Sequence, residues 1–157
     1  MSILATIPDP TGLVEVNYQD DPEKVWFTSK AAIDSDGSGS SHGDPDQEQD
    51  TSLHTNGKPL NADVDRYIVV PPSVIQGTKG IVLGCRAVVT NQLTGIQVDC
   101  VVGDIGPHHK IGEISIATAI ALVINPSPTT GGIDDHVILY EIYPGQQADG
   151  YQLQASV

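Results

Sequence analysis

The sequence predicts a mainly β protein: a small barrel of about six short strands with one buried helix. Three observations predict it. Val, Ile and Thr recur with 16 Gly and 11 Pro in 157 residues, a composition suited to strands joined by tight turns. Apolar residues alternate over short stretches, as at Val14, Val16 and Tyr18, the period of a half-buried strand. Only Ile114–Ile124 (I-S-I-A-T-A-I-A-L-V-I) has the length and the alanines of a helix, and Asn125-Pro126 would stop it. The length suits a single domain, residues 1–157, with its own core.

Taken in order, residues 1–30 read as two short strands. One contains Val14–Tyr18 and the other Lys24–Phe27, with the acidic turn Gln19–Pro22 between them. Trp26, the sole tryptophan, reads as core rather than as a sugar-stacking platform. Residues 34–66 are irregular, acidic and rich in Gly and Ser. Three readings compete for this acidic loop. Asp34, Asp36, Ser38 and Gly39 match the opening of a calcium loop, but its twelfth position is Pro45 instead of Glu. Asp34, Asp36, Asp44 and Asp46 could instead form a wall for a cationic ligand. The third reading is an exposed loop with no ligand.

Arg66–Val70 reads as a strand ended by Pro71-Pro72, and residues 73–77 as a short connector. Gly80–Thr90 and Gly95–Asp104 then form a hairpin around the loop Asn91–Thr94. That centring sets Cys85 directly opposite Cys100, within reach of a disulfide. The alternative is a pair of buried thiols. One face of the hairpin carries Ile81, Leu83, Cys85, Ala87 and Val89 opposite Ile96, Val98, Cys100, Val102 and Asp104. The other face, with Arg86, Gln97 and Asp99, is wetter. His136–Pro144 is a further strand, and the polar tail 146–157 reads as peripheral.

The formal net charge is −13, and residues 1–66 hold 13 of the 20 acids. Such a surface excludes nucleic acid as a partner, because phosphate contacts need Lys and Arg. It suits a polycation, or serves only solubility. No apolar run is long enough to span a membrane. The first ten residues lack the basic and apolar segments of a signal peptide. That leaves a chain that is not exported, or one whose signal has been removed.

The chemistry concentrates in Val101–Ala117, V-V-G-D-I-G-P-H-H-K-I-G-E-I-S-I-A. Asp104 ends a strand on its apolar face, so it is either desolvated or aimed into a cleft. Glu113 opens the predicted helix, where the helix dipole would favour its charged form. A strand end, a loop and a helix start, with one acid on each lip, could aim two carboxyl groups into one cleft. Glycoside hydrolysis generally uses such a pair. The adjacent His108 and His109 find no third ligand at zinc spacing, so no metal is expected. There is no serine-hydrolase elbow and no phosphate loop.

The stretch G-D-I-G-P-H-H-K-I-G-E-I-S-I-A resembles the catalytic segment of glycoside hydrolase family 75, the endo-acting chitosanases. The resemblance extends upstream through I-D-S-D-G-S-G, D-P-D-Q-E-Q-D-T-S-L, G-K-P-L-N-A and Y-I-V-V-P-P, and downstream through V-I-L-Y-E-I-Y-P-G, in that order. It covers roughly Ala31 to Gly145. It implies a double-psi β-barrel and an inverting hydrolase with Asp104 and Glu113 as its catalytic pair. Inversion calls for carboxyl groups about 6.5–9.5 Å apart.

The resemblance also implies that Asp34, Asp36, Asp44 and Asp46 meet glucosamine ammonium groups; of His108 and His109, read as substrate-binding candidates, one could contact substrate or tune a carboxylate. By analogy Glu113 is the proton donor and Asp104 the base, whereas their environments as read from the sequence suggest the reverse. The expected partner is chitosan, met by a secreted monomer that needs no cofactor. Two rivals stay open: a non-catalytic, expansin-like carbohydrate-binding barrel, and another enzyme acting on polysaccharide or peptidoglycan.

Overall fold

The β-branched, turn-rich chain folds as a mainly β protein in a computed structural model, 48% strand and 7% helix. The structure describes residues 2–75 and 79–154. The strands are β1 (Ser2–Asp9), β2 (Gly12–Asp20), β3 (Glu23–Asp34), β4 (His54–Thr55), β5 (Lys58–Pro59), β6 (Tyr67–Val70), β7 (Cys85–Asn91), β8 (Ile96–Ile105), β9 (Glu113–Ser115) and β10 (Ile133–Gln147). Two short helices accompany them, α1 (Pro72–Ile75) and α2 (Ile116–Ala121).

Six strands close a barrel in the order β3-β10-β7-β8-β6-β9, with β9 returning to β3. Closure removes sheet edges that would otherwise template aggregation. Two of its pairings are parallel, β6 with β8 and β3 with β9. Strands β1 and β2 extend the sheet beyond β3 as an antiparallel hairpin outside the ring. Residues 1–30 therefore hold most of three strands rather than two; the prolines at 8 and 10 disguise β1 and its turn.

The core follows from strand alternation. Val25 and Phe27 of β3, Ile138, Tyr140 and Ile142 of β10, and Val102 of β8 are buried. Phe27 and Tyr140 stack with ring centroids 4.7 Å apart, and burying an aromatic of this size stabilises by about 1.5–3 kcal/mol. Trp26, on the opposite parity of β3, is only half-buried. The 146–157 segment is tied down through residue 154. Tyr151 Oη donates to Asp65 Oδ1 (2.6 Å) and the Gln154 amide donates to Leu83 O (2.9 Å). Residues 76–78 and 155–157, the ends of the predicted connector and tail, lie outside the described residues.

Two expectations are corrected. The β7–β8 register places Cys100 opposite Ala87, while Cys85 pairs with Gln147 of β10. Cys85 and Cys100 are therefore buried free thiols and form no disulfide. The turn is centred one residue later than predicted: Asn91 pairs with Ile96, the Gly95 amide donates to Asn91 O (2.7 Å), and Gly95 takes φ 78°. Moving the centre by one residue shifts each partner by two. That preserves the face of every side chain and breaks every predicted pair.

The single helix predicted over 114–124 is the second correction. Glu113–Ser115 forms β9, and only then does α2 begin, capped by Ser115, whose Oγ accepts the Thr118 amide at 3.2 Å. Nor is the segment buried all round: Ile120 and Val123 are exposed. Glu113 thus lies on a strand between β3 and β6, opposite Ala32 and Val69, and not in a helical first turn.

Candidate active site

Four separated parts of the chain meet at one end of the barrel. Strand β3 ends in Asp34, and the chain turns through Asp36. The acidic loop returns with Asp46, Glu48, Asp50, Thr51 and Ser52. Strand β8 contributes Asp104, and β9 contributes Glu113. Together with Val69, Ile105, Gly106 and Pro107 they line an open cleft of about 420 Å³. Among the described residues no basic one lines it.

The acidic loop is ordered by its own side chains. The Asp36 amide donates to Asp34 Oδ1 (2.7 Å), and the Glu48 amide donates to Asp36 Oδ1 (2.8 Å). Gln47 Nε2 donates to the carbonyls of Ser35 (2.8 Å) and Gly39 (3.1 Å). The buried Thr51 accepts the Leu60 amide on Oγ1 (2.9 Å) and donates to Leu53 O (2.8 Å). Beneath it, the Leu53 amide donates to Gly103 O (3.0 Å). A Cβ at Gly103 would lie 2.6 Å from Tyr67 Cβ and 2.7 Å from Leu60 Cδ1, so only glycine lets the loop sit this close to β8.

Asp104 is 7% exposed. Its Oδ1 accepts the Ser52 amide (2.9 Å), the Ser52 hydroxyl (2.8 Å) and the Ile105 amide (3.0 Å). Burial raises its pKa, these donors oppose that, and the net direction is upward. Glu113 is raised chiefly by burial, with Lys30 and Lys110 pulling it down and Asp36 and Asp104 pushing it up. Its carboxyl group accepts no hydrogen bond among the described residues. Burial and the neighbouring Asp36 carboxylate push Asp34 up to about 8. Asp36 rises to about 6, led by burial. Like charges gathered in a low-dielectric site cannot all ionise at once.

Carboxylate oxygens of Asp34, Asp36 and Asp104 lie within 4.8 Å of one another, a set able to hold a cation. It is not the calcium loop read from the sequence, because its third member comes from β8. Glu113 stands outside this cluster but lines the same cleft.

Of the residues singled out in the sequence, Asp34, Asp36, Asp46, Asp104 and Glu113 come together in the cleft. Asp44 does not line it: its carboxylate accepts Ser35 Oγ (2.8 Å) and the Asp46 amide (2.9 Å), a loop-holding role. His108 and His109 are exposed and lie outside the lining, although Gly106 and Pro107 of the same loop belong to it. Glu48, Asp50 and Ser52 were not singled out individually. Their only signal was their place in D-P-D-Q-E-Q-D-T-S-L. No family model and no curated protein sequence matches this chain.

Proposed function

We propose that the protein is an endo-acting chitosanase of the family 75 kind, hydrolysing β-1,4 bonds between glucosamine units with inversion. The observation that carries this reading is the meeting of Asp104 and Glu113, from separate strands, in one cleft lined by five further acids and, among the described residues, no basic side chain. Such a cleft attracts a polymer bearing an ammonium group on each sugar. Its openness at one end of the barrel suits an endo-acting enzyme on a long chain.

The hydrogen bonds support one allocation of the roles. Three donors on one oxygen of Asp104 favour its charged form, which suits a base. Glu113, half-buried and without a donor among the described residues, has its pKa raised by desolvation, which suits an acid. In the proposed step Asp104 takes a proton from water while the water oxygen attacks the anomeric carbon. The bond to the leaving oxygen breaks, and that oxygen takes the Glu113 proton. The new hydroxyl forms on the opposite face of the sugar. Asp34, Asp36, Asp46 and Glu48 would hold the ammonium groups on either side. A polymeric substrate places the work outside the cell.

The test is release of reducing ends from chitosan, cellulose and peptidoglycan, with the anomeric form of the product followed by NMR. Turnover of chitosan alone, with inverted product, is expected. Tight, salt-sensitive binding without turnover would instead identify a carbohydrate-binding barrel, and turnover of peptidoglycan a different hydrolase.

A further inference from the structure

The hairpin β1–β2 lies outside the barrel, yet its tip reaches the loop that leads into β9 and Glu113. Asp9, the last residue of β1, is 5% exposed, and Lys30 of β3 is 8% exposed. Lys30 Nζ donates to Asp9 Oδ1 (2.5 Å) and to Ile111 O (2.7 Å). The Ile111 amide donates to the same Asp9 Oδ1 (3.0 Å). Both backbone polar groups of one residue, two positions before Glu113, are thus held by a single buried ion pair. Thr11 completes the tip, donating to Asp9 Oδ2 from its amide (3.1 Å) and its hydroxyl (2.7 Å), while His136 Nε2 meets Thr11 Oγ1 at 2.8 Å.

The next residue locks the same place. Gly112 has φ 86°, and a Cβ there would lie 2.5 Å from Lys30 O and from Ser29 Oγ. Its carbonyl accepts the Ala32 amide at 2.8 Å, and β9 begins at the following residue.

We propose that the Asp9–Lys30 pair is a positioning device for Glu113, gripping Ile111 and fixing the loop that delivers the acid to the cleft. The proposal rests on the hydrolase reading for its consequence in catalysis. A buried pair is a costly way to gain stability, since desolvation offsets much of the attraction, so its worth lies in holding one geometry. It also places a charge: Glu113 lies within electrostatic reach of the cations Lys30 and Lys110, the acids Asp34, Asp36 and Asp104, and the phenols of Tyr67 and Tyr140. Removing Lys30 withdraws one of the two cations that favour the ionised acid.

The test uses Lys30→Met and, because a lone buried Asp9 charge is strongly destabilising, Asp9→Asn/Lys30→Met, which removes both charges together. Glu113 is titrated by carbon NMR of its carboxyl group, and chitosan kinetics are measured in parallel. In the folded variants Glu113 should titrate about one pH unit higher, and kcat should fall about tenfold with KM within about twofold. A folded double variant with wild-type Glu113 titration and wild-type kcat overturns the proposal. A wild-type protein that leaves chitosan intact defeats the hydrolase reading alone, since the titration still tests the grip on Glu113.

Discussion

Ser52 holds Asp104 through one oxygen: its amide (2.9 Å) and its hydroxyl (2.8 Å) both donate to Oδ1. The hydroxyl also lies 3.2 Å from the Ile105 amide. A loop residue therefore fixes the rotamer of a strand residue and favours its charge.

Ser52→Ala removes the hydroxyl and keeps the amide. The lost donor was lowering the Asp104 pKa, so that pKa rises, and a base that must be ionised loses activity first at low pH. The acidic limb of the kcat/KM profile should move up by about half to one pH unit, with a stability loss of about 1 kcal/mol. An unchanged limb in the pH–rate profile would remove Ser52 from the site.

Glu113→Gln and Asp104→Asn keep the side-chain shapes and abolish the proton transfers. Each should lower chitosan hydrolysis by about 10²–10⁴-fold. Thermal melting at pH 8 should show no large destabilisation, because Glu113 and Asp104 both have pKa values raised by burial in the fold. Reducing-end assays on the purified variants check this, and near wild-type rates would refute the assignment.

Asp34 binds its proton up to about pH 8 in the folded protein, against about pH 4 in an unfolded chain. Between those values the native state holds more protons than the unfolded one, so stability falls as pH rises through the window. Asp34→Asn should leave stability at pH 4 nearly unchanged and raise it progressively toward pH 8, by up to about 5 kcal/mol. A bound ammonium group favours the ionised form of Asp34, so affinity for chitosan oligomers should weaken in the same variant. Urea melts at the two pH values, with calorimetric titration of oligomers, measure both effects.

The free thiols carry a prediction of their own. Burial pushes Cys100 up to about 12 and also raises Cys85, so neither is a reactive thiolate near neutrality. The melting temperature should be the same with and without dithiothreitol, and a drop on reduction would restore the disulfide.

The barrel was legible because strand alternation survives errors of register. Ala87, Val89, Val98 and Cys100 share one buried face as predicted even though the hairpin pairs differently, whereas Ile81 and Leu83 precede β7 and the bulge at Gly103 takes Asp104 off the parity of Val102. The disulfide depended on the exact turn, where Asn91 and Gly95 decide the centring. Ile114 and Ile116 fit an apolar strand or an apolar helix equally well, so the end of β9 was hidden. Ser115, a capping residue before Ile116, was the available signal. Asp104 and Glu113 stood out from their setting, but Ser52 and Glu48 belong to a loop with no period, and only closure of the barrel brings them to the acids. Asp9 and Lys30, far apart in sequence, gave no sign of their meeting.

The tight seat of Leu53 and Leu60 on Gly103 bears on how this protein could be re-engineered. Residues 51–60 are anchored to the strand that bears Asp104, so deleting them to widen substrate scope would unseat that aspartate. The outer rim, 40–46, has no such anchor in β8. Libraries aimed at new polymers belong there, with Asp44 kept for its hold on Ser35, so that sequence can vary while the floor beneath stays intact.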